Sequence, residues 1–385
     1  MTWPSVDINQ LNQRQGEIAG IERIMLFVGH ASKALGDKSP MRALNAQSDI
    51  DESLSEAGPV LLENVRAAQL NGGQNWSAYA MLLEQDDENW TAAITAALSS
   101  VSVEGVLVCT EIAEKSAGRT LINQLHALRA SVISSLGRWI WFIATVAGPL
   151  KLPTKSTWED YRLFINDLTK DIAANSVQLV PSLWGNEAGV LSGRLCNRAV
   201  TIADSPARVE TGELLGMGIG SSDHPVDADG LEVSLADLKA LHDLRCSVPM
   251  WYSDYEGLYW SDGLMLEVKG GDFEAIEYLR VADKVARNTR IRAIGKIANR
   301  NLNTTPSSIE THQTYFAGIL REMAKTQQIN GVTFPGEVES PKEGDVLISW
   351  TTKTRVAIVI VVRPYACPKE ITVSIVLDRS LEDDA

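Results

Sequence analysis

Residues Cys246–Arg300 read CSVPMWYSDYEGLYWSDGLMLEVKGGDFEAIEYLRVADKVARNTRIRAIGKIANR, an aromatic segment followed by a glycine pair and a long helical pattern. We expect Asp272 to cap this helix, and Glu274 in the first turn suits the positive end of the helix dipole. Apolar residues recur on one face at Ile276, Leu279, Ala282 and Val285, while Arg280, Lys284 and Arg287 follow another face. The whole chain carries a formal net charge of −14, so this local excess of positive charge predicts a contact surface.

Upstream of this stretch, short apolar runs alternate with helical patterns. The predicted strands are Ile21–Gly29, Ala78–Leu83, Val103–Cys109, Trp139–Val146 and Val177–Leu183, with Asn197–Ala203 continuing the series. The predicted helices are Pro59–Leu70, Trp90–Leu98, Ala113–Leu136, Trp158–Ala173 and Ser234–Leu244, and Ser156 with Glu159 forms a capping box. Buried strands that alternate with helices indicate βαβ units. We therefore predict an α/β core with a mostly parallel sheet and flanking helices.

Downstream, the pattern changes to strands. Val346–Trp350, Arg355–Arg363 and Glu370–Leu377 are rich in β-branched residues or alternate in polarity. These strands are too few to form an independent sheet, so one edge is left exposed. An exposed strand edge favours pairing with another chain. Completion of the chain's own sheet is the open alternative. Near the N-terminus, polarity also alternates around Val6 and Ile8, and the same two alternatives apply: a strand in the chain's own sheet, or a strand that pairs with another chain.

Composition narrows the classes of function. A net charge of −14 argues against a general nucleic-acid binder, whose phosphate contacts need a basic surface. The four cysteines form no C-x-x-C pair, so we expect a reduced, cytosolic protein without a zinc ribbon. No signal peptide is visible, and the most apolar run, Trp139–Leu150, is shorter than the roughly 20 residues that span a bilayer. We expect no nucleic-acid partner and no membrane insertion.

Motifs for catalysis or ligand binding are weak. The glycines of Gly216–Gly220 lack the lysine and the spacing of a phosphate loop. The aspartates around His224 depart from the EF-hand pattern, and the five histidines lack zinc-binding spacing. No nucleophile elbow occurs. The sequence therefore predicts no catalytic, cofactor or metal site, and no enzyme.

Several short sequence motifs in and around residues 246–300 resemble those of the sheath proteins of contractile phage tails, in the shorter form found in Mu-like phages. They are Tyr259, Trp260, Asp262, Gly263, Gly270, Gly271 and Ile276–Val281 with Asp283, Lys284 and Arg287, together with the blocks Val6–Phe27 and Leu195–Gly212. The resemblance spans most of the chain. It rests on patterning and on these motifs, since no catalytic signature is involved.

The resemblance implies a structural subunit that polymerises as stacked hexameric rings around a tail tube. Contraction of this helical assembly would drive the tube through the host envelope for genome ejection. The implied partners are further copies of the chain, the tail tube protein, the baseplate and the tail terminator. The implied location is the virion tail, after synthesis and assembly in the host cytoplasm.

In such a subunit, N- and C-terminal β arms pair with neighbouring subunits by strand exchange. The arm residues in this chain would be Val6, Ile8, Val356, Ile358, Ile360, Thr372 and Ile375. The basic helix would face the tube through Lys284, Arg287 and Arg290. The plainer interpretation of that helix is a solvated face with internal pairs, Glu277 with Arg280 and Asp283 with Arg287.

These expectations divide the chain into four parts: an N-terminal arm over 1–20, an α/β body over 21–245, an aromatic and helical part over 246–330, and a β-rich segment with the C-terminal arm over 331–385. The polar segment Ser32–Gly58 is a candidate loop. Two other functions stay open, an α/β enzyme that binds a small ligand at the ends of its parallel strands, and another multimeric tail or baseplate scaffold protein.

Overall fold

A computed structural model describes residues 20–36, 39–85, 87, 89–220 and 223–376. Its strands are β1 (Ile24–His30), β2 (Met41–Asn45), β3 (Ser77–Leu83), β4 (Gly105–Ile112), β5 (Trp141–Ala147), β6 (Val177–Ser182), β7 (Pro249–Tyr252), β8 (Tyr255–Trp260), β9 (Gln327–Ile329), β10 (Val332–Phe334), β11 (Val346–Thr352) and β12 (Arg355–Ile360). Its α-helices are α1 (Ile50–Ser53), α2 (Pro59–Gly72), α3 (Trp90–Ser100), α4 (Lys115–Leu136), α5 (Trp158–Thr169), α6 (Glu187–Cys196), α7 (Leu235–Asp243), α8 (Ile276–Ile294) and α9 (Pro306–Met323).

The central sheet has the strand order β2-β3-β1-β4-β5-β6. Strand β2 is an antiparallel edge strand, and the other neighbours pair in parallel. Every residue of β5 is buried, as expected for a strand covered by helices on both faces. The predicted α/β core with a mostly parallel sheet is confirmed.

Helices α2 and α6 pack closely against each other beside this sheet. Gly189 makes the close approach possible, because a Cβ atom at this position would lie 2.1 Å from the backbone oxygen of Asn64. The Gly189 N–H donates to the Asn64 side-chain oxygen at 2.7 Å. A glycine on α6 and an asparagine on α2 therefore fix the contact between the two helices.

A second hydrophobic core is built from the C-terminal part of the chain. It is formed by α8, α9 and the β11–β12 hairpin, and includes Phe316 and Ile348. Helix α8 serves both cores: Ile276 and Leu279 belong to the first, whereas Val281 and Val285 belong to the second. The four-part domain division stays a prediction.

Helix α8 begins later than its sequence pattern suggests. Asp272 is not its cap: Ala275 occupies the N-cap position, without a side-chain hydrogen bond. The reason is a long-range contact, since Leu264 and Ala275 form an antiparallel bridge and Met265 N–H donates to the Glu274 carbonyl at 2.9 Å. Residues just before the helix are thereby held in extended conformation.

Three smaller predictions are corrected. Helix α5 is capped by Thr157, whose hydroxyl accepts from the Asp160 N–H, so the capping box at Ser156 was placed one residue early. Residues 197–203 form turns, because the Asp204 carboxylate accepts hydrogen bonds from the Thr201 N–H and hydroxyl at 2.7 and 2.6 Å. Segment 32–58 is not all loop, since it contains β2 and α1.

Candidate assembly interface

The polar face of α8 lies largely between the two cores, where its charges form ion pairs with other elements. The Arg280 guanidinium donates to both oxygens of Glu104 at 2.6 and 2.9 Å, and both side chains are buried. Burial alone would raise the pKa of Glu104, but the charge and hydrogen bonds of Arg280, together with the charge of Arg287 and the Arg23 N–H, outweigh burial and hold the pKa below its ordinary value. This pair joins α8 to the start of β4.

The neighbouring charges on α8 behave similarly. Asp283 accepts from Arg129 at 2.9 and 2.6 Å. Lys284 donates to Glu337 at 2.8 and 2.7 Å, and Arg287 donates to Glu22 at 2.7 Å. The internal helix pairs of the plainer interpretation are thus replaced by pairs with distant parts of the chain. Lys284 and Arg287 have structural roles within the subunit, and the structure does not test whether they also contact a tube.

Arg290 differs from these two residues because it lies on the exposed surface. Beyond it, three isoleucines are exposed by 40 % (Ile291), 50 % (Ile294) and 76 % (Ile297). We call these exposed residues, with the exposed Arg300, the basic isoleucine patch. The sequence pattern identified its charges but missed the exposure of its isoleucines, which depends on where the second core ends.

The predicted C-terminal arm residues fall into two groups. Val356, Ile358 and Ile360 lie in β12, paired with Trp350, Ile348 and Val346 of β11 in the same chain. Thr372 and Ile375 lie in segment 370–376, which is exposed throughout and has no assigned strand pairing in the described chain. Val6 and Ile8 of the predicted N-terminal arm lie outside the described residues.

Segment 370–376 is unusually apolar for an exposed stretch. Ile371, Val373, Ile375 and Val376 are exposed by 77, 76, 92 and 86 %. Between β12 and this segment, two ion pairs attach the chain to the rest of the subunit. Arg363 pairs with Asp345 at 2.5 and 2.7 Å, and Lys369 lies 2.7 and 2.6 Å from the two oxygens of Asp262.

The carboxyl ends of β1 and β4 are where a doubly wound sheet usually binds a small ligand. Near them, the Glu111 carboxylate accepts from Lys151 and from the Ser182 hydroxyl, both at 2.7 Å. Loop 216–220 is tied down by Asn186, which bonds Gly216 and Gly218 at 2.8 and 2.9 Å. The polar groups named here are therefore used in bonds within the chain.

Among the described residues, no group of three or more histidine, cysteine, aspartate or glutamate side chains is placed to hold a metal ion. Cys109, Cys196 and Cys246 are buried, and burial raises the pKa of Cys196 and of Cys246 to about 12. Such thiols are poor nucleophiles because they stay protonated. A helix long and apolar enough to cross a membrane is absent from the same part of the chain.

Comparison with known proteins gives two matching family models and one close relative. Residues 3–264 match the DUF2586 N-terminal domain, and residues 272–380 match the DUF2586 C-terminal domain. The chain is 46 % identical over 377 residues to the protein named "Putative tail sheath protein" of Haemophilus phage HP1 (strain HP1c1), which covers 98 % of both chains.

One solved structure with a TM-score above 0.5 shares the fold. A chain from the six-fold symmetrised cryo-EM structure of the anti-feeding prophage (AFP) baseplate matches with a TM-score of 0.57 and 13 % identity, covering 98 % of this chain and 99 % of that one. The sheath tail protein from Desulfitobacterium hafniense matches with a TM-score of 0.49 and 10 % identity, over 94 % and 96 % of the two chains. Full-length agreement with both family models and with the phage HP1 protein confirms the resemblance drawn from the sequence, and the chain belongs to the DUF2586 family of tail sheath proteins.

Proposed function

We propose that this chain is the structural subunit of a contractile tail sheath, and that it polymerises as stacked six-fold rings around a tail tube. The observation that carries the proposal is segment 370–376, a β-branched stretch exposed along its whole length. In a monomer it would be an aggregation hazard, whereas in an assembly it supplies a strand to another subunit. Close identity to the phage HP1 protein supports the same role.

The C-terminal arm of this proposal begins after the hairpin. Strand β12 already uses one edge for β11, so its residues serve as part of a local sheet. Segment 370–376 carries Thr372 and Ile375 away from that sheet and is the part that pairs with a neighbour. Val6 and Ile8 form the corresponding N-terminal arm. Strand exchange at both ends would keep the rings connected while subunits change position.

The surface that faces the tube is the basic isoleucine patch. Of the three tube-facing residues predicted on α8, only Arg290 belongs to this patch. Lys284 and Arg287 would contribute to a tube contact only while they remain paired with Glu337 and Glu22. A patch with a few charges around exposed apolar side chains suits an acidic tube surface. Charged, water-rich contacts exchange partners more readily than a dry apolar seam, which suits a sheath that moves along its tube.

In this function the energy of contraction comes from a difference in subunit packing between two states of the polymer, without catalysis. The finished sheath belongs to the virion tail, bounded by baseplate and terminator and assembled in the host cytoplasm. The enzyme alternative is less favoured, because the Glu111 carboxylate near the carboxyl ends of the strands is already bonded to Lys151 and Ser182. A baseplate scaffold would form discrete particles where a sheath forms long polymers.

Negative-stain microscopy of the purified chain at increasing concentration tests the proposal, beside a chain that ends at Lys369. Long hollow cylinders from the full chain, absent from the shortened one, are the expected result. The shortened chain keeps the Arg363–Asp345 and Lys369–Asp262 ion pairs. If it folds normally, the loss of cylinders is due to the missing segment and not to misfolding. Discrete small particles from both chains would contradict the sheath function.

A further inference from the structure

Lys369 is bound by two buried carboxylates at the point where the C-terminal segment leaves the body. Its ammonium lies 2.7 and 2.6 Å from the Asp262 oxygens and 3.0 Å from Glu277 Oε1. The side chains of Asp262 and Glu277 are 7 and 2 % exposed. Asp262 follows β8, and Glu277 lies in the first turn of α8, so Lys369 connects the segment to two elements of the body.

The position of Lys369 is enforced by charge. Burial raises the pKa of Glu277, against the attraction of the Lys369 ammonium. Asp262 is held in place by the Gly263 N–H at 2.7 Å and the Ser205 hydroxyl at 3.3 Å. Removal of the ammonium would leave two carboxylates buried together without a cation, which is strongly unfavourable. The contact therefore differs from an exposed ion pair, whose contribution to stability is small.

Lys369 is also the last attachment before the exposed segment. Pro364 bridges Val338, and the Cys367 thiol lies 3.7 Å from the Ala203 carbonyl oxygen. From residue 370 to residue 376, every described residue is exposed. Within the described part of the chain, Lys369 is thus the last residue whose side chain contacts the body.

We propose that Lys369, clasped between Asp262 and Glu277, is the positioning residue that sets where and in which direction segment 370–376 leaves the subunit. The consequence for a neighbour rests on the proposed function, because it requires that the segment pairs with another copy. Release of residues 365–369 would add about 17 Å of extended chain at roughly 3.4 Å per residue. That slack is larger than the spacing of about 4.8 Å between paired strands, so the arm would reach more than one acceptor position.

The first test uses the unassembled chain at low concentration and measures how fast the Cys367 thiol reacts with a disulfide reagent. This thiol is half-buried against the Ala203 carbonyl, and the other three cysteines are buried. Lys369→Met is expected to raise the reaction rate at least tenfold, whereas Lys369→Arg retains the clasp and the slower rate. Lys353→Met, at an exposed lysine between β11 and β12, is the matched control and should change nothing. An unchanged rate in Lys369→Met would overturn the proposal.

If Lys369→Met fails to fold, the triple variant Asp262→Asn, Glu277→Gln, Lys369→Met removes the stranded charges and is measured instead, with the same expected rise in the reaction rate of Cys367. The second test is the regularity of the polymer by electron microscopy. Lys369→Met should give cylinders of irregular diameter, and Lys369→Arg regular ones. Regular cylinders from Lys369→Met would overturn the positioning role. If the unaltered chain forms no cylinders, the sheath function fails, while the reaction rate of Cys367 still decides the clasp.

Discussion

Arg280 and Glu104 form a two-bond ion pair inside the protein, with 2 and 1 % of their side chains exposed. Glu104 also accepts the Arg23 N–H at 2.5 Å, and Arg280 donates to the Leu195 carbonyl oxygen at 3.0 Å. The pair therefore joins α8, the start of β4 and the end of α6. It makes α8 part of the body instead of a free basic surface.

Glu104→Gln should destabilise the subunit by about 3–5 kcal/mol, because it leaves the Arg280 guanidinium buried without its counter-charge. The free energy of unfolding in urea measures the effect. Lys115→Met removes an exposed ion pair with Asp167 and serves as the control, with little expected change. Equal stability of the two variants would contradict the structural role of the buried pair.

The same pair predicts a dependence of stability on pH. Because Arg280 holds the pKa of Glu104 below the ordinary 4.5, the unfolded chain takes up a proton at this group before the folded chain does. The stabilisation is complete above the ordinary value and is lost as pH falls through the lowered pKa. Urea unfolding between about pH 6 and 3 should therefore show a steeper decline for the unaltered chain than for Glu104→Gln. Parallel declines would exclude Glu104 as the source.

Gly189→Ala should destabilise the contact between α2 and α6 by about 1–3 kcal/mol, since the new methyl group would overlap the Asn64 carbonyl oxygen and force the helices apart. The midpoint of urea unfolding is the measurement. Gly295→Ala is the control: its φ of −65° is helical and the nearest atom, the Arg292 oxygen, lies 3.6 Å from the added Cβ. There we expect a gain of up to about 1 kcal/mol.

Val373→Pro should suppress polymerisation while the unassembled subunit keeps its stability. Proline lacks the N–H that a paired strand donates, and Val373 is 76 % exposed in the subunit. Sedimentation measures the polymer and urea unfolding the subunit. Val373→Thr keeps both the N–H and the β-branched shape, so it should polymerise normally. A proline variant that polymerises normally would argue against strand pairing at this position.

Reversal of charge in the basic isoleucine patch, with Arg290→Glu and Arg300→Glu combined, should weaken binding to purified tail tubes. Co-sedimentation at several salt concentrations measures it, and the binding of the unaltered chain should fall as salt screens the charges. Lys33→Glu, at an exposed lysine outside the patch, is the control. Unchanged tube binding by the double variant would place the tube contact elsewhere.

The central sheet and its helices could be predicted because their apolar residues lie close together in the chain and repeat with a fixed period. The ion-pair partners of the charged residues on α8 could not be predicted from the sequence. Arg280, Lys284 and Arg287 pair with residues 176, 53 and 265 positions away, whereas sequence rules for charged pairs reach only three or four positions. The start of α8 was wrong for the same reason, since the bridge from Leu264 to Ala275 depends on tertiary contacts.

The C-terminal segment shows the same limit. Its alternation predicted extended chain, and its β-branched residues predicted a strand. The pairing of Val356, Ile358 and Ile360 with β11 and the full exposure of residues 370–376 required the fold. The clasp could not be foreseen, because Lys369 and Asp262 are 107 positions apart.

The most direct measurement of strand exchange is amide hydrogen exchange of residues 370–376, compared between the unassembled chain and the polymer. The unassembled chain should exchange rapidly, since this segment is exposed throughout. In the polymer we predict slow exchange at alternate amides, because a strand added to a neighbour's sheet edge directs every second N–H to its new partner. Rapid exchange at all of these amides in well-formed polymer would contradict the account.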